Sequence, residues 1–420
     1  MEQTFTFQRV VRKVPWLLLL LFMFLLRFAL QEPPEDNITL FAAYLFVLAF
    51  LTCYLLEPWM ILFGHKTGFI DLPDNQRKVH THATPRTGGI ALYIGFIASV
   101  LTSGHFSFEI KNILIAGSLI FLTGVVDDYR GLSSVTRLVI QLAATAFLIA
   151  GGIRITFIPN WLGGIVTETI ITMIWVIGIT NAMNFIDGMD GLAGGMSVIF
   201  SFFFALISYS TRQFYFMYLS CALAGASLGF LPYNFRRKAP ARIFLGDAGS
   251  TFIGFILASA AIMGEWGGTI VDLSVPVIIM SMLIFDMFLT TIVRISKGEV
   301  TSFKSWLAYA GRDHVHHRLG MIGLGKRKTV YLYYCIAFGF GLTSLIIVRS
   351  SWVISVIAML QSGVLLVALG IILFRTTDRS YIKFINNLIP FNTKRIEYEK
   401  NKDLFKPSQF SKRRSDLYRP

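Results

Sequence analysis

Long apolar segments decide what this chain can fold into. They have about 17–25 residues each, the length that an α-helix needs to cross a hydrocarbon layer of roughly 30 Å. Of the 420 residues, 54% are hydrophobic and only 15% are charged, whereas soluble domains carry about 25% charged residues. The sequence therefore predicts an all-α polytopic membrane protein, a bundle of about 11–12 transmembrane helices.

The first apolar segment is the least regular, since Arg27 lies near its end. No small-residue cleavage site follows it, so it is read as a span or as an uncleaved signal anchor. The predicted spans are 14–30, 38–63, 88–103, 110–126, 137–155, 167–183, 192–209, 214–231, 250–264, 273–293, 329–348 and 351–374.

Lysine and arginine are unevenly distributed between the two sets of loops. Nearly all of the 38 lie in one set and in the tail, and the other set holds only Lys111, Arg154, Arg212 and Arg349. Basic loops stay in the cytoplasm by the positive-inside rule, so both termini are predicted to be cytoplasmic. In a membrane protein the net charge of +14 says little about nucleic acid, and no nucleic-acid partner is expected.

The chain divides into two parts by composition. Residues 1–375 form one multi-pass domain, and 376–420 form a polar tail rich in lysine and arginine. Such a tail is typical of a flexible cytoplasmic segment attracted to anionic lipid headgroups. The cysteines lie far apart in apolar runs, so we expect small apolar packing residues rather than disulfides or a metal site; they are Cys53, Cys221 and Cys335.

Five clusters of polar residues lie on the predicted cytoplasmic side, at or near spans, where an ionisable residue is costly and indicates function. The first cluster, residues 71–89, contains Asp71 and three donors that suit phosphate or pyrophosphate, Lys78, His80 and Arg86. Its paired glycines allow a close backbone approach. The alternative is an ordinary basic loop.

The second cluster is a pair of acids at the end of a span, Asp127 and Asp128. Two carboxylates this close repel each other unless a cation or a proton lies between them. A solvated helix end is the alternative, but a helix C-terminus disfavours negative charge.

The third cluster is a regular series of amides and acids in the segment 180–195. Asn181, Asn184, Asp187 and Asp190 recur every third residue, which keeps neighbours on one face of a helix or of a 3₁₀ turn. The segment has no lysine or arginine, so its oxygens suit a hard divalent cation. Its four glycines are expected to free backbone N–H groups for a nucleotide or phosphate.

The fourth cluster, residues 240–254, places Asp247 in a glycine-bracketed turn just before a span. Such a carboxylate either binds a cation or caps the N-terminus of the helix. Phe244 is a candidate for stacking on a base.

The fifth cluster extends from an acid within a span to a group of histidines. Asp286 lies inside an apolar run, eight residues before Arg294, and is expected to face the interior of the bundle. His314, His316 and His317 follow in a basic segment. They suit either zinc or the rim of a phosphate site.

Together these clusters indicate phosphoryl transfer. They contain carboxylates, asparagines and glycine turns, but no Ser–His or Cys–His pair and no Walker or Rossmann fingerprint. Phosphoryl transfer needs a divalent cation, donors around the phosphate and a nucleophile held in line. A site at the inner face of the membrane suits a lipid-bound nucleophile and a soluble nucleotide-activated donor.

Three motifs carry a resemblance to a known family: NAMNFIDGMDGLAGG (181–195), FLGDAGS (244–250) and DHVHHRL (313–319). In this order they resemble the polyprenyl-phosphate N-acetylhexosamine-1-phosphate transferases. The resemblance implies cytoplasmic active-site loops in the bacterial inner membrane. It also implies transfer of a hexosamine 1-phosphate from a UDP-N-acetylhexosamine to undecaprenyl phosphate, with release of UMP. Mg²⁺ is the implied cofactor, with Mn²⁺ as a substitute.

The resemblance also implies roles for individual residues. It places Asp127 and Asp128 beside the polyprenyl phosphate, with Arg137 as a basic contact to that phosphate. Either aspartate is expected to aid deprotonation of the lipid phosphate in a single displacement, although a covalent aspartyl intermediate stays open.

The other motifs correspond to the nucleotide sugar and the metal. Asp247 matches the Mg²⁺-binding aspartate, with Asn184 as second ligand. The remaining matches are to the nucleotide-sugar motif and to the histidine motif near the pyrophosphate, namely Asn181, Asp187, Asp190, His314, His316 and His317.

The His–Val–His–His order and the RKVH of residues 77–80 resemble the branch that uses GlcNAc 1-phosphate to start O-antigen, enterobacterial-antigen or teichoic-acid linkage units. The alternatives are a phospho-MurNAc-pentapeptide transferase and, from another class, a membrane transporter of divalent metal or lipid-linked sugar. The segment 294–313 is somewhat long for the family, and the tail has no counterpart in it. A helix pair without polar clusters offers a face for a homodimer.

Overall fold

The computed structural model describes residues 37–72, 83–302 and 314–375, apart from residues 105, 157, 159, 238, 265–268 and 322, and also residues 19, 21, 23 and 27. Within these ranges there are thirteen α-helices. They are α1 (Ile38–Thr67), α2 (Gly88–Ser103), α3 (Phe108–Arg130), α4 (Ser134–Ala150), α5 (Gly164–Ile186), α6 (Leu192–Ser210), α7 (Phe214–Asn234), α8 (Gly246–Met263), α9 (Thr269–Ile279), α10 (Ser281–Ser296), α11 (Val315–Met321), α12 (Lys326–Arg349) and α13 (Trp352–Arg375).

Short non-α elements join the helices. The two-residue strands β1 (Ile70–Asp71) and β2 (Thr84–Pro85) pair antiparallel, with Ile70 opposite Pro85. Asn160–Leu162 form a 3₁₀ turn before α5.

Every predicted span from residue 38 onward falls largely on helix, which confirms the all-α membrane fold, although the run 137–155 extends five residues beyond the end of α4. The run 273–293 is divided at Met280, whose backbone (φ −94°, ψ 14°) separates α9 from α10. Eight of the described helices are long and apolar enough to cross a membrane, and α2 and α4 are shorter apolar helices. The chain is therefore a multi-pass membrane protein. The tail 376–420 and most of the run 14–30 lie outside the described residues.

Glycines allow α7 to lie directly against α1. A Cβ at Gly225 would lie 2.1 Å from the carbonyl oxygen of Phe46, and one at Gly229 would lie 2.6 Å from that of Phe50. Small residues of this kind let membrane helices approach closely and pack by van der Waals contact.

Helix α8 occupies the centre of the bundle. In its most apolar 18-residue stretch, 78% of the residues are buried, against 17% in the peripheral helix α13. A Cβ at Gly124 of α3 would lie 2.4 Å from the Cα of Ala248, and one at Gly254 would lie 2.8 Å from the Cα of Thr180 in α5. The C-terminal halves of α3 and α5 therefore pack against α8, and Gly124 of α3 meets its first turn, where Asp247 lies.

Candidate active site

The N-terminus of α8 is capped by a residue from another helix. Leu245, which precedes α8, provides no side-chain cap. Instead, the carboxylate of Asp128 accepts hydrogen bonds from the backbone N–H groups of Asp247 and Ala248, both at 3.0 Å. A carboxylate at a helix N-terminus is favoured by the helix dipole. Asp128 therefore fixes the first turn of α8 and, with it, the position of Asp247.

Asp127 has different partners although it is adjacent in sequence. Its Oδ1 accepts the N–H of Leu132 at 2.6 Å, and its Oδ2 lies 3.1 Å from the guanidinium of Arg137. The same guanidinium lies 3.6 Å from the carboxylate of Asp247. Arg137 thus bridges the first acid of the pair and the acid of α8.

Asn184 joins the end of α5 to the first turn of α8. Its Nδ2 donates to Oδ1 of Asp247 and to Oγ of Ser250, both at 2.8 Å. Asp187 directly follows α5. Burial, with the added repulsion of nearby carboxylates, including Asp247 and Asp128, raises the pKa of Asp187 well above its usual range. The acids of three motifs therefore repel one another in a single cluster.

The donor set of this cluster fits a hard divalent cation. No three His, Cys, Asp or Glu side chains form a complete metal site within the part of the chain that the structure describes. Mg²⁺, however, takes only one or two carboxylates from a protein when substrate phosphates and water supply its other ligands. Asp247 and Asn184 would hold the ion, and a cation there would offset the repulsion of Asp247 and Asp128 that adds to burial in raising the pKa of Asp187.

The turn after α5 is fastened to the loop before α8. Asp190 accepts the N–H of Ala241 at 3.3 Å. Asn234, at the end of α7, accepts the N–H of Gly191 at 2.6 Å and donates to the carbonyl of Ile243 at 3.0 Å. Asn234 was not predicted from the sequence, although a polar residue at the end of a span is a signal of the same kind.

A cavity of about 370 Å³ opens beside this turn. It is lined by Asp190, Phe235, Arg236, Ala239, Pro240, Lys326 and Arg327. Its three basic side chains suit a polyanion, and its aromatic ring offers a stacking surface.

The expectation that the glycines of 180–195 free their N–H groups for a ligand is wrong for Gly191 and Gly195. Gly191 donates to Asn234, and Gly195 donates to the carbonyl of Gly191 at 2.9 Å. A Cβ at Gly195 would overlap the ring of Tyr334, and one at Gly194 would lie 3.2 Å from Phe230. These glycines therefore serve helix packing.

Only part of the first cluster, residues 71–89, lies within the described residues. Arg86 donates to Asp71 at 2.6 Å, and its second terminal nitrogen lies 3.9 Å from Asp128. Arg86 thus connects the first loop to the acid pair. Lys78 and His80 lie outside the described residues, so their predicted roles stay predictions.

The paired glycines of this loop approach the backbone of the fourth cluster. The N–H of Gly88 donates to the carbonyl of Phe244 at 3.0 Å, and the N–H of Gly89 donates to that of Leu245 at 2.9 Å. The predicted close approach is therefore to the protein's own backbone. The side chain of Phe244 is partly exposed, as stacking on a base would require.

Asn181 is engaged inside the bundle. Its Nδ2 donates to Oε1 of Gln141 at 2.7 Å and to the carbonyl of Ile177 at 2.8 Å. Gln141 is buried in α4 and returns a contact of 3.4 Å. The sequence offered a signal for Gln141, since an amide inside an apolar run needs a partner.

The histidine segment lies against the acidic turn. The ring centroid of His314 is 5.3 Å from that of Phe185, and the ring of His317 is 4.2 Å from that of His316. A Cβ at Gly188 would lie 2.7 Å from Nε2 of His316. Burial lowers the pKa of His316 to about 3.

Asp286 and Arg294 reach the histidine segment from the interior of the bundle. They are 1% and 4% exposed, which confirms that Asp286 faces inward. Asp286 lies 3.2 Å from Nδ1 of His314. A terminal nitrogen of Arg294 lies 3.5 Å from Nε2 of the same ring, so both ring nitrogens of His314 face protein groups, which argues against His314 as a zinc ligand.

Hydrogen bonds thus bring the ends of α3 and α5 and the beginnings of α2 and α8 to one site. Fold and site together define a polytopic helical membrane enzyme with an oxygen-rich acidic centre at one end of the bundle.

Comparison with known proteins agrees with this class. The model of glycosyl transferase family 4 matches residues 110–265. The probable undecaprenyl-phosphate N-acetylglucosaminyl 1-phosphate transferase of Bacillus subtilis (strain 168) is 33% identical over 314 residues, which cover 72% of this chain and 84% of the relative. The decaprenyl-phosphate N-acetylglucosaminephosphotransferase of Mycolicibacterium smegmatis is 32% identical over 329 residues, 69% of this chain and 79% of the relative.

A more partial match is the phospho-N-acetylmuramoyl-pentapeptide-transferase of Bacillus thuringiensis, 31% identical over 243 residues, 51% of this chain and 72% of the relative. The chain belongs to glycosyl transferase family 4, which confirms the resemblance carried by its motifs.

Proposed function

We propose that this protein transfers N-acetylglucosamine 1-phosphate from UDP-GlcNAc to undecaprenyl phosphate and releases UMP. The product would initiate a lipid-linked cell-surface polysaccharide. The observation that carries the proposal is the joining of Asp127, Asp128, Asn184 and Asp247 in one hydrogen-bonded and ion-paired cluster. The names of the Bacillus subtilis and Mycolicibacterium smegmatis relatives, which give N-acetylglucosamine phosphotransferases of undecaprenyl phosphate and decaprenyl phosphate, support the substrate class.

The acceptor phosphate is assigned to Asp127 and Arg137. The guanidinium of Arg137 supplies a donor for phosphate oxygens. Both oxygens of Asp128 already accept N–H groups of α8, whereas Oδ2 of Asp127 accepts no backbone N–H group in the described part of the chain and lies 3.1 Å from Arg137. Asp127 is therefore the better group to take the proton from a singly protonated lipid phosphate, whose second pKa is near 6.

The donor is assigned to the opposite side of the cluster. When bound, Mg²⁺, or Mn²⁺ in its place, would neutralise the diphosphate, with Asp247 and Asn184 as its protein ligands. Asp187, Asp190 and the basic cavity beside them would hold the nucleotide. The histidine segment closes the site next to the turn of Gly188.

The proposed reaction is a single displacement. An oxygen of the lipid phosphate forms a bond to the phosphorus that carries the sugar. The bond from that phosphorus to the oxygen of UMP breaks, and UMP leaves with the electron pair. The protein contributes positioning and charge, which supply most of the catalysis in phosphoryl transfer.

Sidedness follows from the loop charges. We place the active site and both termini on the cytoplasmic face of the bacterial inner membrane, because the basic loops and the acidic cluster share one side. Lipid then surrounds the exposed apolar faces, and the homodimer expected from the sequence stays a prediction.

The test is UMP release by purified, detergent-solubilised protein supplied with Mg²⁺ and undecaprenyl phosphate. UDP-GlcNAc is expected to be the best donor in a comparison with UDP-GalNAc and UDP-MurNAc-pentapeptide. A folded protein that released UMP from none of these donors would refute the transferase proposal. Preference for the pentapeptide donor would refute only the choice of sugar.

Two variants sharpen this test. Asp247→Asn is expected to lose nearly all activity, because it removes the main ligand of the cation. Glu168→Gln is the matched control, since Glu168 is a buried acid paired with Arg154 at 3.5 Å near the other end of α5. It should retain wild-type turnover.

A further inference from the structure

Asp286 is a buried carboxylate that the transfer reaction does not explain directly. Because it is 1% exposed, it does not reach a substrate. Its Oδ1 accepts the N–H of Val315 at 2.6 Å, and its Oδ2 lies 3.2 Å from Nδ1 of His314. A buried charge is costly unless it is paired and hydrogen-bonded, and both of these contacts lie at the start of the histidine segment.

The neighbours of His314 define which of its ring nitrogens carries the hydrogen. An ionised carboxylate only accepts hydrogen bonds, so Nδ1, which faces Asp286, is protonated. The other nitrogen, Nε2, lies 3.5 Å from a terminal nitrogen of Arg294. A guanidinium only donates, so Nε2 is the unprotonated nitrogen. These two contacts favour the tautomer of His314 that carries its hydrogen on Nδ1.

This tautomer is held next to the acidic turn. The ring of His314 lies against Phe185, which stands between Asn184 and Asp187 in the sequence. Gly188 lies three residues after Phe185, and His316 fills the space beside it. The hydrogen bond from Val315 to Asp286 thus fixes the backbone of a segment that covers the proposed donor site.

We propose that Asp286 is a positioning residue that acts on the reaction through His314. Its carboxylate selects the tautomer with hydrogen on Nδ1 and seats the segment 314–317 on the turn 185–188. The inference rests on the proposed function in one respect, namely that His314 belongs to the site that binds the sugar nucleotide.

Asp286→Asn is the informative substitution. It keeps the shape of the side chain, but its amide can donate as well as accept, so Nδ1 no longer has to carry the hydrogen. A carboxylate-to-amide change of this kind leaves the geometry of a catalytic triad intact and lowers turnover through the wrong tautomer. We expect kcat to fall by about 10- to 100-fold, with little change in the KM for UDP-GlcNAc. Asp286→Glu should restore part of the loss.

A double-mutant cycle separates this role from general stability. If Asp286 acts through His314, adding Asp286→Asn to His314→Ala should cause no further loss of kcat. Additive losses would overturn the proposal. Glu168→Gln, another buried and paired carboxylate, should leave kcat unchanged and controls for the removal of a buried charge.

The tautomer can also be read without turnover. Histidine-selective ¹⁵N NMR of the solubilised protein, with His314→Ala to assign the signals, should show Nδ1 protonated and Nε2 unprotonated, and Asp286→Asn should change this pattern. The opposite tautomer in the wild type would overturn the proposal even if UMP is released. The expected tautomer in a protein that releases no UMP would refute the proposed function and leave the positioning contact established.

Discussion

Replacing Asp128 by asparagine should disturb the position of Asp247 and not only the chemical step. Asp128 accepts two N–H groups at the start of α8, both at 3.0 Å. An asparagine has a single acceptor oxygen and no charge, so it can satisfy only one of these groups. The first turn of α8, which carries the proposed cation ligand, then loses one of its two anchors.

The size of the effect follows from these contacts. A hydrogen bond to a charged group contributes about 1.5–3 kcal/mol, and a charge at a helix N-terminus adds about 0.3–1 kcal/mol. Relief of the repulsion among the neighbouring carboxylates acts in the opposite direction. A net loss of about 2 kcal/mol would weaken the apparent affinity for Mg²⁺ roughly 30-fold if it acts wholly on Asp247.

The assay is the rate of UMP release as Mg²⁺ is titrated at fixed UDP-GlcNAc, together with the thermal midpoint. Asp127→Asn is the matched control. It alters the contact with Arg137 but leaves the cap of α8 in place, so it should lower turnover with a smaller change in the half-saturating Mg²⁺ concentration than Asp128→Asn causes. If Asp128→Asn lost turnover while its midpoint and its Mg²⁺ requirement stayed at wild-type values, the capping argument would be refuted and Asp128 would belong to the chemistry.

Three further substitutions test the structure around the site. Gly246→Ala should lower the thermal midpoint and turnover, because φ is +73° there and a Cβ would lie 2.5 Å from the Asp128 carboxylate; the strain is about 1–3 kcal/mol, and an unchanged midpoint would contradict it. Gly124→Val should destabilise the bundle in thermal unfolding by separating α3 from Ala248, whereas an equally stable variant would mean that these helices have room to move apart. His316 stays neutral in the folded state down to about pH 3 but gains a proton when unfolded below about pH 6.5. The free energy of unfolding should therefore fall by about 1.4 kcal/mol for each unit by which the pH is lowered from about 6.5 to about 3. His316→Gln should flatten this decline, and equal slopes in the wild type and the variant would contradict the assignment to His316.

The helices could be predicted because the thickness of the bilayer dictates apolar length. The run 88–103 coincides with α2 (Gly88–Ser103), since its ends are set by the change from apolar to polar residues. The run 273–293 is continuous in composition but is divided at Met280. A single long apolar run does not show whether it forms one helix or two, because both bury the same residues.

Most members of the site could be predicted, but their contacts could not. The regular Asn and Asp series indicated one acidic centre, and Asn184 does meet Asp247. The partners of Asp128 lie 119 and 120 residues away. No local spacing encodes such a pairing, because it depends on how α3 packs against α8.

One local pattern does explain why the adjacent acids differ. Successive residues of a helix point about 100° apart, and residues four apart share a face. Gly124 lies four residues before Asp128, and both meet Ala248: a Cβ on Gly124 would overlap its Cα, and Asp128 accepts its N–H. The missing side chain of the glycine lets α3 approach α8 closely enough for the carboxylate one turn later to reach the helix end. Asp127, on an adjacent face of α3, accepts the N–H of Leu132 and pairs with Arg137, so the geometry of α3 gives the two neighbouring aspartates different partners.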